Sequence, residues 1–175
     1  DCNEIIISDL IIKHGLAIGT NDMFNSNGYG GGIYINNSNA TLANLSITDN
    51  TAEIFGGGLY MHNSNLTLNH VNISDNISTF NDGYSYVIGT AITAWEQELY
   101  VNNCTIANND NNVMAGPVLS QGWQLSSFRN TIFWNNSPNV NWIDGPLSVE
   151  NCNTNDSNWD CLHGAANRPR LQHPH

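Results

Sequence analysis

One pattern is written twice in this chain. Residues 30–50 read GGGIYINNSNATLANLSITDN and residues 56–76 read GGGLYMHNSNLTLNHVNISDN, offset by 26 residues throughout. A fixed period in this range marks a solenoid, in which each turn of chain buries its apolar face only against its neighbours. Within each copy, apolar and polar residues alternate at period two, the mark of half-buried strands. The runs are short and are separated by Gly or Asn, so three strands fit per copy. In the first copy Ile33 and Ile35, Ala40 and Leu42, and Leu45 and Ile47 face inward. In the second, Leu59 and Met61, Leu66 and Leu68, and Val71 and Ile73 do the same.

The rest of the chain falls on this register. Stepping back 35 residues lays Ile5, Ile7, Leu10 and Ile12 on Ala40, Leu42, Leu45 and Ile47. That makes a first coil without its first strand, followed by a loop over 16–29. Stepping forward 33 residues gives Ile92, Leu99, Val101, Cys104 and Ile106, with an insertion near 77–86. A further 26 gives Val118, Leu125 and Ile132, and a further 22 gives Val140, Leu147, Val149 and Cys152. The expected fold is all-β, a right-handed parallel β-helix of about six coils with three short strands per coil, because parallel crossovers are overwhelmingly right-handed. The helix is expected over 1–156, with 157–175 as a polar C-terminal cap or tail.

Coils stacked in register bring like residues together about 4.8 Å apart. Ile47, Ile73, Ile106 and Ile132 are expected to form one apolar column. Asn50, Asn76, Asn109 and Asn135 are expected to form an amide ladder at the turn after the third strand. The glycine triplets precede the first strand, where a Cβ has little room.

These residues resemble right-handed parallel β-helix repeat proteins, and among them the polymorphic outer-membrane protein repeats and related bacterial surface proteins. GGGIY and GGGLY are similar to the GGA-[ILV] turn-strand of that family, with Gly for Ala. Ile47-Thr-Asp-Asn50, Ile73-Ser-Asp-Asn76, Ile106-Ala-Asn-Asn109 and Ile132-Phe-Trp-Asn135 are similar to its F-x-x-N turn, with Ile for Phe. The resemblance covers roughly residues 5–154. It implies a secreted, cell-surface or adhesive protein, and the first coil's missing strand adds the expectation of a subunit in a filament or larger surface assembly. Pectin-degrading enzymes share the architecture, so a polysaccharide-acting lyase or hydrolase, or a carbohydrate-binding module, is the alternative.

Composition narrows the partners. Four Lys and Arg against a net charge of −11 leave no cationic surface for a phosphate backbone, so nucleic acid is not expected. No apolar run reaches the roughly 20 residues of a membrane-spanning helix. Asn, at 31 residues, dominates the chain.

No catalytic residues are assigned. The Asn-Thr-Asp, Asp-Asp and Gly-His-Gly motifs of β-helix polygalacturonases are missing, and glycosidase chemistry needs two carboxylates at a set separation. Lys13 and Arg129 fall at opposite ends of the stack. Asp49 and Asp75 share a column that offers at most a weak Ca²⁺ site; no metal or other cofactor is otherwise expected. Tyr34 and Tyr60, followed by His62 and Trp95 on neighbouring strands, form an outward strip suited to sugar rings. N-x-[ST] sequons stand at Asn36, Asn39, Asn44, Asn65, Asn72, Asn76, Asn103, Asn135 and Asn155. Asn39, Asn65 and Asn103, at outward corners, are the expected glycan acceptors, with Asn44, Asn36, Asn155 and Asn72 behind them. Asn76 and Asn135 are expected in the ladder and therefore closed. Cys152 and Cys161 bracket a short polar loop and are the expected disulfide. The apolar first coil is expected to meet neighbouring subunits or a second copy at an open N-terminal end.

Overall fold

The computed structural model describes residues 4–19, 27–79, 89–95, 98–111, 118–121, 124–136, 142–144 and 146–154. They form a parallel β-helix. In the first coil, β1 (Ile5–Ser8), β2 (Ile11–Lys13) and β3 (Leu16–Ala17) follow one another. The second holds β4 (Ile33–Asn36), β5 (Ala40–Ala43), β6 (Ser46–Thr48) and β7 (Thr51–Ala52). The third holds β8 (Leu59–His62), β9 (Leu66–Asn69), β10 (Asn72–Ser74) and β11 (Ile77–Ser78). The fourth holds β12 (Ile92–Trp95), β13 (Leu99–Asn102), β14 (Thr105–Ala107) and β15 (Asp110–Asn111). The fifth holds β16 (Val118–Gln121), β17 (Ser126–Arg129) and β18 (Ile132–Trp134), and the sixth β19 (Trp142–Asp144), β20 (Leu147–Glu150) and β21 (Asn153–Thr154).

Strands of successive coils pair in parallel. Sheet 1 runs β4-β8-β12-β16-β19, sheet 2 β1-β5-β9-β13-β17-β20, and sheet 3 β2-β6-β10-β14-β18-β21. A two-residue ladder, β3-β7-β11-β15, adds a fourth narrow sheet beside the three expected strands. It claims Leu16–Ala17 and Ile77–Ser78 from stretches read as loop, so each insertion begins later than its polar composition suggests.

Registers through the fourth coil are those of the repeat arithmetic. Ile5 lies on Ala40, Ile33 on Leu59 and Ile73 on Ile106. Leu42, Ile47, Leu59, Leu68, Ile73 and Ile106 are fully buried in one core along the bore. The triplets permit this approach. Gly56 takes φ 65°, and a Cβ on Gly57 would lie 2.4 Å from the Ile77 carbonyl oxygen, so only glycine fits.

The fifth coil departs from the expected columns by one residue. Val118 does lie on Ile92, but Leu99 pairs with Ser126 and Ile106 with Phe133. Leu125 and Ile132 are therefore not core residues; Ile132 is exposed, while Phe128 and Phe133 fill the bore, 5.6 Å apart and edge to face. Left-handed corner positions explain the shift. After each sheet 2 strand stands Asp9, Asn44, His70, Asn103, Asn130 or Asn151, all at φ 50–61°. After the sheet 3 strands stand His14, Asp49, Asp75, Asn108 and Asn135, at φ 51–59°. Asn and Asp tolerate this conformation best among residues with a Cβ. The expected register would have placed Arg129 and Trp134 there, at roughly 1–2 kcal/mol each. By the sixth coil Leu147, Val149 and Cys152 are back on the columns of Leu99, Val101 and Cys104. Val140 lies outside the described residues.

Candidate functional site

The amide ladder is real and internal. Asn50, Asn76 and Asn109 are fully buried, and the fourth rung is Asn136, not Asn135. Each Oδ1 accepts from the backbone N–H and the side-chain amide of the rung before it. Asn76 Oδ1 accepts from Asn50 N at 3.1 Å and Nδ2 at 3.0 Å; Asn109 Oδ1 does the same for Asn76. Asn136 Oδ1 continues to Asn109 at 3.0 and 2.9 Å. Each Nδ2 also reaches a main-chain carbonyl, as Asn76 reaches Ile47 at 3.0 Å. At the first coil the rung is Gly15, whose N–H donates to Asn50 Oδ1 at 2.9 Å. Asn135 instead sits exposed at the outer corner, donating to Asn108 Oδ1 at 2.9 Å. The sequence could not separate the two, because both positions are Asn.

Shorter ladders bind the corners outside. Asn63 Nδ2 donates to Asn37 Oδ1, and Asn44 Nδ2 to Asp9 Oδ1. Asn39 Oδ1 accepts from Asn65 N, and Asn65 Oδ1 from Glu98 N. Asn130 Nδ2 donates to Asn103 Oδ1. Of the sequon residues, Asn36, Asn39, Asn44, Asn103 and Asn135 are exposed, Asn65 and Asn72 are half-buried, and Asn76 is closed. Asn155 lies outside the described residues, as does Cys161, and with it the pairing expected for Cys152; no disulfide occurs among the described residues.

The aromatic strip is narrower than its sequence suggests. Tyr34 stacks on Tyr60 at 5.4 Å and 14°. Tyr60 is buried, however, beneath Tyr29 at 4.7 Å and beside Phe55 at 6.5 Å. Phe55 also meets the half-buried Trp95 at 5.9 Å, and the buried Trp95 Nε1–H has no acceptor among the described residues. His62 Nδ1 lies 3.3 Å from Asn36 Oδ1. What remains open is the Tyr34 ring, 42% exposed, with the Asn36–His62 pair beside it. Tyr29 and Phe55 escaped the sequence reading, although each directly precedes a glycine triplet at the same 26-residue spacing.

The charged candidates stay apart. Arg129 pairs with Glu150 at 3.0 Å on the surface of the fifth and sixth coils, far along the stack from Lys13. Asp49 and Asp75 are exposed, and the Asp49 carboxylate accepts from Thr48 Oγ1 at 3.2 Å. Among the described residues no three side chains of metal-ligand type converge. Burial pushes the Cys104 thiol up to about 11, which leaves it protonated and inert.

The third candidate surface is the rim of the first coil. Ile6, Leu10, Ile11, Leu16 and Ile18 are five of the ten large apolar side chains exposed among the described residues. Ile6 and Ile11 are 68% and 70% exposed. The outward columns of Ile6, Ile11, Leu16 and Ile18 carry Thr41, Ser46, Thr51 and Glu53 one coil further on, whereas Leu10 lies on the buried Leu45 as expected but is itself 52% exposed at the end of the stack. Beside this rim, Ile5, Ile7, Ile33 and Ile35 line a notch of about 320 Å³. Comparison with protein-family models, with curated proteins and with solved structures finds no match for this chain.

Proposed function

We propose that this chain is a structural segment of an extracellular, cell-surface assembly, a rigid rod carrying glycans and joined to neighbouring subunits at its first coil. The observation that carries this reading is the aliphatic rim. Ile6, Ile11, Leu16 and Ile18 occupy outward columns that need only Thr, Ser, Thr and Glu where the next coil stands. Stacking does not call for these side chains, and apolar residues turned outward on three sheets of one coil mark a contact face. The chain's excess of amides suits the same role, because ladders of Asn stiffen a rod without charge.

Light scattering on the chain and on a variant carrying Ile6→Thr, Ile11→Ser, Leu16→Thr and Ile18→Glu tests the reading. The expected result is association of the parent chain with rising concentration and a monodisperse variant of unchanged circular dichroism. A parent chain that stays monomeric at high concentration removes the main support. The exposed Tyr34 ring beside Asn36 and His62 favours a second reading, a carbohydrate-binding surface. Titration with neutral and uronate oligosaccharides, followed by tyrosine fluorescence, decides between them.

A further inference from the structure

A sequon carries a glycan through folding at no cost where the folded chain leaves its amide nitrogen unused. N-glycosylation joins Nδ2 to the anomeric carbon of an oligosaccharide held on a lipid diphosphate. The diphosphate leaves, Nδ2 gives up one proton, and Oδ1 is untouched. The corner hydrogen bonds therefore sort the sequons by the amide atom that each one spends. Asn44 spends Nδ2 on Asp9 Oδ1 at 3.1 Å, and Asn135 spends it on Asn108 Oδ1 at 2.9 Å. Asn72 directs it to the Ser46 and Ser74 hydroxyls at 3.5 and 3.3 Å, and Asn76 to two acceptors in the bore. Asn103, in Asn103-Cys104-Thr105, does the reverse. Its Oδ1 accepts from Asn130 Nδ2 at 3.0 Å, and its main-chain N–H donates to the Arg129 carbonyl at 2.9 Å. Among the described residues its Nδ2 has no hydrogen-bond partner. Asn103 is exposed, at a left-handed corner of φ 54° between sheets 2 and 3. Asn65 also spends only Oδ1, but it is half-buried.

The sheet beyond this corner supplies an independent observation. Two outward columns of sheet 3 read Ser46, Asn72, Thr105 and Thr48, Ser74, Ala107 through the second to fourth coils. In the fifth coil they read Ile132 and Trp134, both exposed, the indole at 54%. Stacking needs neither side chain there. Thr105 pairs with Ile132 and Ala107 with Trp134, so a rise of about 3.3 Å per residue and a strand spacing of about 4.8 Å put their Cα atoms at most about 8 and 14 Å from that of Asn103. A few sugar rings span that distance. The Asn130 bond also draws the Asn103 amide toward the fifth coil, two residues before Ile132. We propose that Asn103 carries an N-linked glycan whose sugars lie over Ile132 and Trp134. This rests on the glycan-bearing rod described above and names the site and what the glycan does there. The C–H face of a pyranose packs on the indole face, while its hydroxyls stay in water. An apolar pair on the flank of the rod is thereby covered within its own chain and does not become a second contact face.

Glycopeptide mass mapping of the full chain, secreted from eukaryotic cells, tests the site. Asn103 is expected to be occupied in most molecules. A bare Asn103 with other sequons occupied overturns the proposal and leaves the glycan-bearing reading standing; a chain with no occupied sequon overturns both. Hydroxyl-radical labelling tests the cover. Trp134 of the secreted chain is expected to label several-fold more slowly than in Thr105→Val, which removes the sequon and keeps Asn103 and its bonds. The parent chain made in bacteria, without glycans, is a second reference that carries no substitution and is expected to match the variant. Tyr34, on another sheet, is expected to label equally in all three. Equal labelling of Trp134 with and without the glycan overturns the proposal.

Discussion

At the scale of the residue, asparagine does two different jobs that its one-letter code does not distinguish. Inside, Asn50, Asn76, Asn109 and Asn136 each satisfy buried main-chain groups and one another. At the corners, Asn44, Asn103, Asn130 and Asn135 supply left-handed backbone. The consequences of substitution differ accordingly. Asn136→Gly is expected to cost about 2 kcal/mol or more, because Asn109 and the Ile106 carbonyl lose buried partners. Asn135→Gly is expected to fall within about 0.5 kcal/mol of the parent, because glycine takes φ 51° freely. Urea denaturation of the two variants checks this, and the reverse order would restore the unshifted fifth coil. Cys104 gives a pH signature. Its thiol pKa rises from 9.0 to about 11 in the fold. A neutral acid with a raised folded pKa contributes fully below the unfolded value and loses that contribution as pH climbs toward the folded one. Stability of the parent is therefore expected to fall between about pH 9 and 11 relative to Cys104→Val, whose side chain matches Val71 in the same column.

At the scale of the element, a strand of three or four residues is stable only because it has a neighbour above and below. Inward and outward positions then differ sharply. Ile73, at the centre of β10, touches Ile47 and Ile106 in the adjacent coils and is fully buried. Ile73→Asp puts an unpaired carboxylate in the bore and is expected to cost several kcal/mol. Thr67, on the outer face of β9, is half-buried among Thr41 and Tyr100. Thr67→Asp is expected to cost less than about 1 kcal/mol. Thermal denaturation of both variants measures the contrast, and equal shifts would mean that the face assignment is wrong. The corner residues between strands explain how one sheet passes to the next without a longer loop: a single left-handed residue reverses the direction of the pleat.

At the scale of the whole molecule, stability should vary along the axis. The second, third and fourth coils share the continuous ladder from Asn50 to Asn109 and the most deeply buried core. Among the described residues the first coil pairs with the second alone, leaves Ile5, Ile7 and Ile12 half-buried, and has glycine at its ladder rung. Solenoid stability is close to a sum of coil terms and nearest-neighbour interfaces. Amide hydrogen exchange is therefore expected to be slowest in β9, β10 and β13 and fastest in β1 to β3. Uniform protection along the stack would contradict nearest-neighbour coupling.

The 26-residue period determined the architecture from the sequence alone, because a repeat that alternates apolar and polar residues has one way to bury its faces and equivalent positions must then stack. The inward columns of the first four coils, the ladder over Asn50, Asn76 and Asn109, and the outward Tyr34–Tyr60 pair all follow from that arithmetic. The 35- and 33-residue steps hold as well, but in sheets 2 and 3 the step into the fifth coil is 27 residues and not the 26 of the repeat, which arithmetic alone does not supply. Whether Asn135 or Asn136 entered the bore depended on which residues could adopt positive φ and on two phenylalanines filling the core better than Leu125 and Ile132. The covering of Tyr60 by Tyr29 and Phe55 was likewise decided in three dimensions, since a chain that folds back over its own outer face buries a residue whose strand position points to solvent. Alternation tells which side of a strand a residue is on; only the packing of distant segments tells whether that side is wet.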